Sequence, residues 1–152
     1  MITATPDRGS APLSVALDAS ASGYRQLGER YATLLGRDLY GVVPTADVAP
    51  PDPASARLEQ GGTQVVITMR NEDSVLSFAE GSQADFWLEG AAVTVTGGAA
   101  DGHEIVLTLS GDATGATGVT GVTYLGHIGA GPWVLNESGV DLLGFGSLPI
   151  TP

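Results

Sequence analysis

The chain has 152 residues, no cysteine, and six basic against seventeen acidic residues, for a formal charge of −11. Disulfides, thiol catalysis and thiolate zinc sites are excluded. The acidic balance repels phosphate backbones and anionic bilayers, so nucleic acid is not an expected partner. One domain is the default at this length, with about 70% of the unfolded surface buried. No run of about 18 apolar residues occurs, and Met1-Ile2-Thr3 opens neither a basic n-region nor an apolar h-region. No export signal or membrane insertion is therefore expected.

In residues 1–21, Pro6-Asp7-Arg8-Gly9 reads as a turn, and Leu13, Val15 and Leu17 alternate with Ser14, Ala16 and Asp18 as in a strand with one buried face. Residues 22–41 predict the one helix. Tyr24, Leu27, Tyr31, Leu34 and Leu35 form an apolar stripe with a 3.6-residue period, and Arg25, Glu29, Arg30 and Arg37 face away. Ser20 or Ser22 can cap its start, and Gly41 its end, because glycine enters the left-handed cap without steric cost. The stripe is expected to dock on a sheet; docking on a partner would leave it exposed. Pro44, Pro50, Pro51 and Pro53 make residues 42–55 an extended connector.

From Ala56 onward, short strands alternate with turn signals. Ala56–Glu59 and Thr63–Arg70 form a hairpin about Gly61-Gly62. Val75–Phe78 and Asp85–Glu89 follow. Ala92–Thr96 and Glu104–Ser110 read as a hairpin whose turns are Gly97-Gly98 and Asp101-Gly102. Gly111–Gly121 reads as a loop, Val122–Leu125 as a strand, and Val140–Phe145 as the closing edge of a sheet. The predicted fold is mainly β: an antiparallel sandwich of about seven or eight strands over residues 56–152, with one N-terminal amphipathic helix, forming one domain overall.

The segment Gly23-Tyr24-Arg25-Gln26-Leu27-Gly28-Glu29-Arg30-Tyr31-Ala32, followed by Tyr40-Gly41 and a proline-rich connector, resembles the last helix of SGNH-type carbohydrate esterases of the sialate O-acetylesterase kind. In such proteins this helix follows the loop bearing the catalytic Asp-x-x-His, and a small β domain can come after it. The resemblance covers residues 22–152. Residues 1–20 resemble the opening of PKD-type β-sandwich domains of surface proteins, through Gly9-Ser10-Ala11-Pro12-Leu13 and Asp18-Ala19-Ser20; the later Trp-x-Phe-Gly-Asp-Gly type of segment is absent. Together the resemblances imply an accessory module at an extracellular or virion surface.

The chemistry of the esterase family does not carry over. A histidine base oriented by an aspartate must precede the helix. Asp18 stands at that spacing from Ala21, which accepts no proton, and the first histidine is His103. Gly111-Asp112-Ala113 has alanine where a nucleophile block needs serine. Asp85 with Glu89, or Asp101 with Glu104, can be paired for glycoside hydrolysis, but in so acidic a chain solvated turns account for them. His103 and His127 are too isolated for a metal site, and Asp101-Gly102-His103-Glu104 lacks the alternating oxygens of a calcium loop. No cofactor or metal is expected. What remains is recognition of a glycan or a protein surface. Trp87, Tyr124 and Trp133 are the candidate aromatic contacts, although Trp87 and Tyr124 also read as core residues and Trp133 as a plug at the sandwich end. His127 and Asn136 supply hydrogen bonds beside Trp133.

Overall fold

The structure, a computed structural model, describes residues 21–45, 48–90, 92–114, 118–128 and 131–151. The strand expected within residues 1–20, and the side chains of Tyr24 and Leu27, lie outside the described residues. The elements in order are α1 (Ala21–Tyr40), β1 (Pro53–Glu59), β2 (Gln64–Met69), β3 (Leu76–Phe78), β4 (Phe86–Glu89), β5 (Val95–Asp101), β6 (Glu104–Leu109), β7 (Gly121–Tyr124), β8 (Val134–Asn136) and β9 (Phe145–Thr151). Short 3₁₀ turns at Gln60–Gly62 and Ser82–Asp85 complete them.

The fold is mainly β, but it is not an antiparallel sandwich. Seven strands form one curled mixed sheet in the order β4-β7-β9-β1-β2-β6-β5, and β3 pairs with β8 in a second sheet of two strands. The mixed character comes from β9, which runs parallel to β1 through Ala56↔Ile150 and antiparallel to β7 through Gly121↔Pro149. Val140–Phe145 does not close an edge. Asp141 makes an isolated bridge to Leu135, and the strand that follows lies inside the sheet. A proline within a run argues against an interior strand. Pro149 is tolerated because the parallel ladder with β1 begins at Ile150.

The core follows from alternation. Ala56, Ile67 and Ile105 stand abreast on β1, β2 and β6, and beside them Leu58, Val65 and Leu107 do the same. All are buried except the half-buried Leu58. On the opposite face Arg57 covers Val66. Its guanidinium donates to Glu59 at 2.7 Å, to Thr68 at 2.8 Å and to Glu104 at 2.9 Å. Glu104 is thereby held below the usual carboxylate range, chiefly by Arg57, and is a structural acid rather than a free one.

Gly97-Gly98 is strand, not turn: the chain reverses at Asp101-Gly102, where Gly102 has φ +56. Gly98 is glycine because a Cβ there would collide with the ring of Phe78, which crosses β5 from the smaller sheet. Phe78 continues an aromatic row: Phe78 to Phe86 at 6.1 Å, Phe86 to Tyr124 at 4.7 Å, and Tyr124 to Phe145 at 6.1 Å between ring centroids. The row ties β3, β4, β7 and β9 together.

Among the described residues of the predicted stripe only Leu34 turns inward, and the helix follows the first twenty residues of the chain rather than opening it. Tyr31 and Leu35 are exposed, as is Leu39 at 69%, while Arg30, Leu34, Gly36 and Arg37 turn inward. The orientation is set by Arg30, whose Nη2 donates to the Gly139 carbonyl at 3.0 Å. Gly41 ends the helix as expected, with φ +67, and the Val42 amide folds back on the Gly36 carbonyl at 3.0 Å. The connector lies against the body: Pro51 is buried, its carbonyl accepts from the Leu143 amide, and the Ala49 carbonyl accepts from Asn136 Nδ2.

Ile105→Ala should cost about 2–5 kcal/mol, as for any large buried aliphatic cut to alanine. Gly98→Ala should cost about 1–3 kcal/mol through overpacking against Phe78. Urea unfolding measures both, and a Gly98→Ala protein as stable as the parent would show that the ring does not cross β5 where described.

Candidate functional site

Two polar groupings and one groove surround strand β4. The first grouping lies beneath the strand's start. Asp85 ends the Ser82–Asp85 turn, and its Oδ2 is 2.8 Å from His127 Nδ1, which follows β7. A carboxylate only accepts, so Nδ1 carries the proton and the ring is held in one orientation. Tyr124, 1% exposed, hydrogen-bonds Asp141 through its hydroxyl. Burial, then the charges of Asp141 and Asp85, raise the Tyr124 phenol far above its ordinary value, so it stays a donor.

Burial likewise pushes the Asp141 carboxyl up to about 6, and Asp85 adds to the rise. The Leu142 amide, the Tyr124 hydroxyl and His127 pull the other way. Asp141 Oδ1 has no partner among the described residues. The arrangement fixes the chain after β7 against the chain before β4. Among the described residues, no cluster of His, Asp and Glu is arranged to hold a metal ion.

The second grouping is on the outer face of β4, β7 and β9. Glu89 Oε1 accepts from Thr123 Oγ1 at 2.7 Å and from Ser147 Oγ at 3.0 Å, and Thr123 Oγ1 accepts from the Ser147 amide at 2.8 Å. Ser147 has φ +50, a left-handed conformation that a non-glycine residue adopts at a cost. Its bonds to Glu89 and Thr123 hold it there, at a register shift between β7 and β9. Trp87 lies on the same face as Glu89, opposite Thr123, and is 49% exposed. Leu125, two residues beyond Thr123, is also exposed. The core reading of Trp87 is therefore corrected: Phe86 takes the inward position on β4, and alternation sends Trp87 out.

Beside Trp87, the two edges of the curled sheet approach each other without pairing. They enclose a groove of about 410 Å³ lined by Gln83, Ala84, Phe86, Trp87 and Leu88 on one side and Ala92 to Val95 on the other.

Of the aromatic candidates, Tyr124 packs inside the row of rings, so it shows solvent no face. Trp133 is half-buried, follows Pro132, and accepts from the Ala79 amide through its carbonyl. Asn136 is buried, and its amide is committed to Ala49, Ser138 and Val140. His127 is engaged by Asp85. The carboxylates Asp85 and Glu89 are not paired with each other; each is bound to a different partner. Sequence reasoning missed Asp141, Thr123 and Ser147, whose neighbours arrive from strands distant in the chain and leave no local pattern. Comparison with protein-family models, curated proteins and solved structures found no match.

A carboxyl whose folded value is raised, as at Asp141, binds its proton more tightly in the folded state than in the unfolded chain. Its contribution is complete below the unfolded value of about 3.9 and is lost as pH rises through about 6. Asp141→Asn should be near neutral at about pH 3.5, below the unfolded value, and stabilise by about 1–3 kcal/mol at about pH 7.5. Denaturant melts at the two pH values test this; an equal effect of the substitution at both would contradict the assignment.

Proposed function

We propose that this chain is a noncatalytic accessory β domain of an esterase-like, carbohydrate-active protein, contacting glycan through the outer face of β4 and β7. The observation that carries the reading is Trp87: a large aromatic half open to solvent, on a rigid strand, beside a groove and the Glu89–Thr123–Ser147 cluster. A flat indole offers a stacking surface for a pyranose ring, and fixed carboxylate and hydroxyl oxygens beside it can meet sugar hydroxyls. The site is read as noncatalytic because Ala21 stands where the family's base is needed.

A second reading, a structural module of a larger surface assembly, is favoured by a different observation. Tyr31, Leu35, Leu39, Tyr40, Val42 and Val43 are all exposed within thirteen residues. A contiguous apolar patch of this kind marks interaction surfaces. The same helix holds Arg25, Arg30 and Arg37, half of the basic residues of an acidic chain.

The two readings separate experimentally. Trp87→Ala should abolish retention on a glycan array while leaving the melting temperature within about 2 °C of the parent, because surface substitutions typically change stability by under about 0.5 kcal/mol. Trp133→Ala, at a half-buried position, should lower the melting temperature. If Trp87→Ala retains all binding and a Leu35→Glu, Leu39→Glu protein loses a partner or self-association, the assembly reading replaces the glycan reading.

A further inference from the structure

We infer that the groove between β4 and β5 takes an uncharged oligosaccharide and discriminates against acidic sugars. This rests on the reading of the Trp87 face as a glycan contact and goes on to name the ligand class. In a chain of net charge −11, the described residues lining this groove carry no charge at all. Its volume, about 410 Å³, falls within the roughly 300–1,000 Å³ typical of small-molecule sites. Its walls are apolar at Trp87, Leu88 and Val93, and polar at Gln83 and Thr94.

Gln83 is oriented by the backbone. Its Oε1 accepts from the Gly81 amide at 2.9 Å, so the amide flips only at the loss of that bond and Nε2 is the group left to donate to a ligand. Thr94 supplies a hydroxyl that both donates and accepts. No lining cation compensates a carboxylate entering the groove. Glu89, on the Trp87 face, is an acceptor that welcomes hydroxyl groups and repels anions. A neutral sugar chain satisfies all of these groups, stacking on Trp87 and hydrogen-bonding to Gln83 and Thr94. An acidic sugar leaves its charge unpaired against a negative protein.

The test is calorimetric titration of the whole chain with cellohexaose, xylohexaose and mannohexaose as neutral probes, and with trigalacturonic acid and α2,8-linked trisialic acid as acidic ones, at 20 and 200 mM salt. At least one neutral probe should bind, at least tenfold more tightly than either acid at 20 mM salt. Salt should narrow that gap by weakening the repulsion of the acids. Trp87→Ala should remove binding. Gln83→Glu keeps an acceptor for the Gly81 amide and should weaken neutral binding about threefold to tenfold. Acidic probes binding as well as neutral ones through Trp87 would overturn the inference while leaving the glycan reading in place. Binding that survives Trp87→Ala, or no binding by any probe, would overturn both.

Discussion

The structure depends on the placement of β9. This last strand enters the sheet between β7 and β1, antiparallel to one and parallel to the other, and joins the β4–β7 pair to the β1–β2–β6–β5 ladder. Without it the large sheet would fall into two pieces, and the two-strand unit carrying Trp87 would have no rigid support, since an isolated two-stranded pair is marginal in water. With it the sheet curls far enough to bring β4 and β5 to the two sides of one groove. The aromatic row reinforces the same join, because Phe145 of β9 packs on Tyr124, Tyr124 on Phe86 and Phe86 on Phe78.

The candidate site is a consequence of that support. Phe86 must face inward to continue the row, so its neighbour Trp87 is forced outward. Glu89, in phase with Trp87, reaches Thr123 and Ser147 only because β7 and β9 are adjacent. The Asp85–His127 pair and the Tyr124–Asp141 pair then hold the segments flanking β4 and β7. Buried carboxylates are costly, and Asp141 shows it in a raised pKa. The stability of this end of the molecule is therefore tied to pH.

Much of the fold was legible in the sequence, for a physical reason. The alternation of Val65, Ile67 and Met69, or of Ile105, Leu107 and Leu109, is a local signal of a one-sided strand, and β1, β2, β4, β6 and β7 lie close to where it puts them. The β1–β2 hairpin about Gly61-Gly62 also follows from turn chemistry. What escaped was determined at a distance. Gly97-Gly98 has the composition of a turn, but Gly98 makes room for Phe78, a residue of another sheet. Pro149 disguises an interior strand. The helical stripe was readable, but which side of α1 meets the body is decided by Arg30 and Gly139, 109 positions apart. Trp87 shared its alternation with the core, and only the position of Phe86 in the aromatic row shows which of the two points inward.

The central claim is that a neutral sugar covers Trp87. Fluorescence addresses it directly in a Trp133→Phe protein, where the emission comes from Trp87 as the single remaining tryptophan. On titration with the neutral hexasaccharides, the account predicts a blue shift and protection from acrylamide quenching, as a half-exposed indole passes from water to a stacked environment. A spectrum and quenching constant unchanged at millimolar sugar would contradict it.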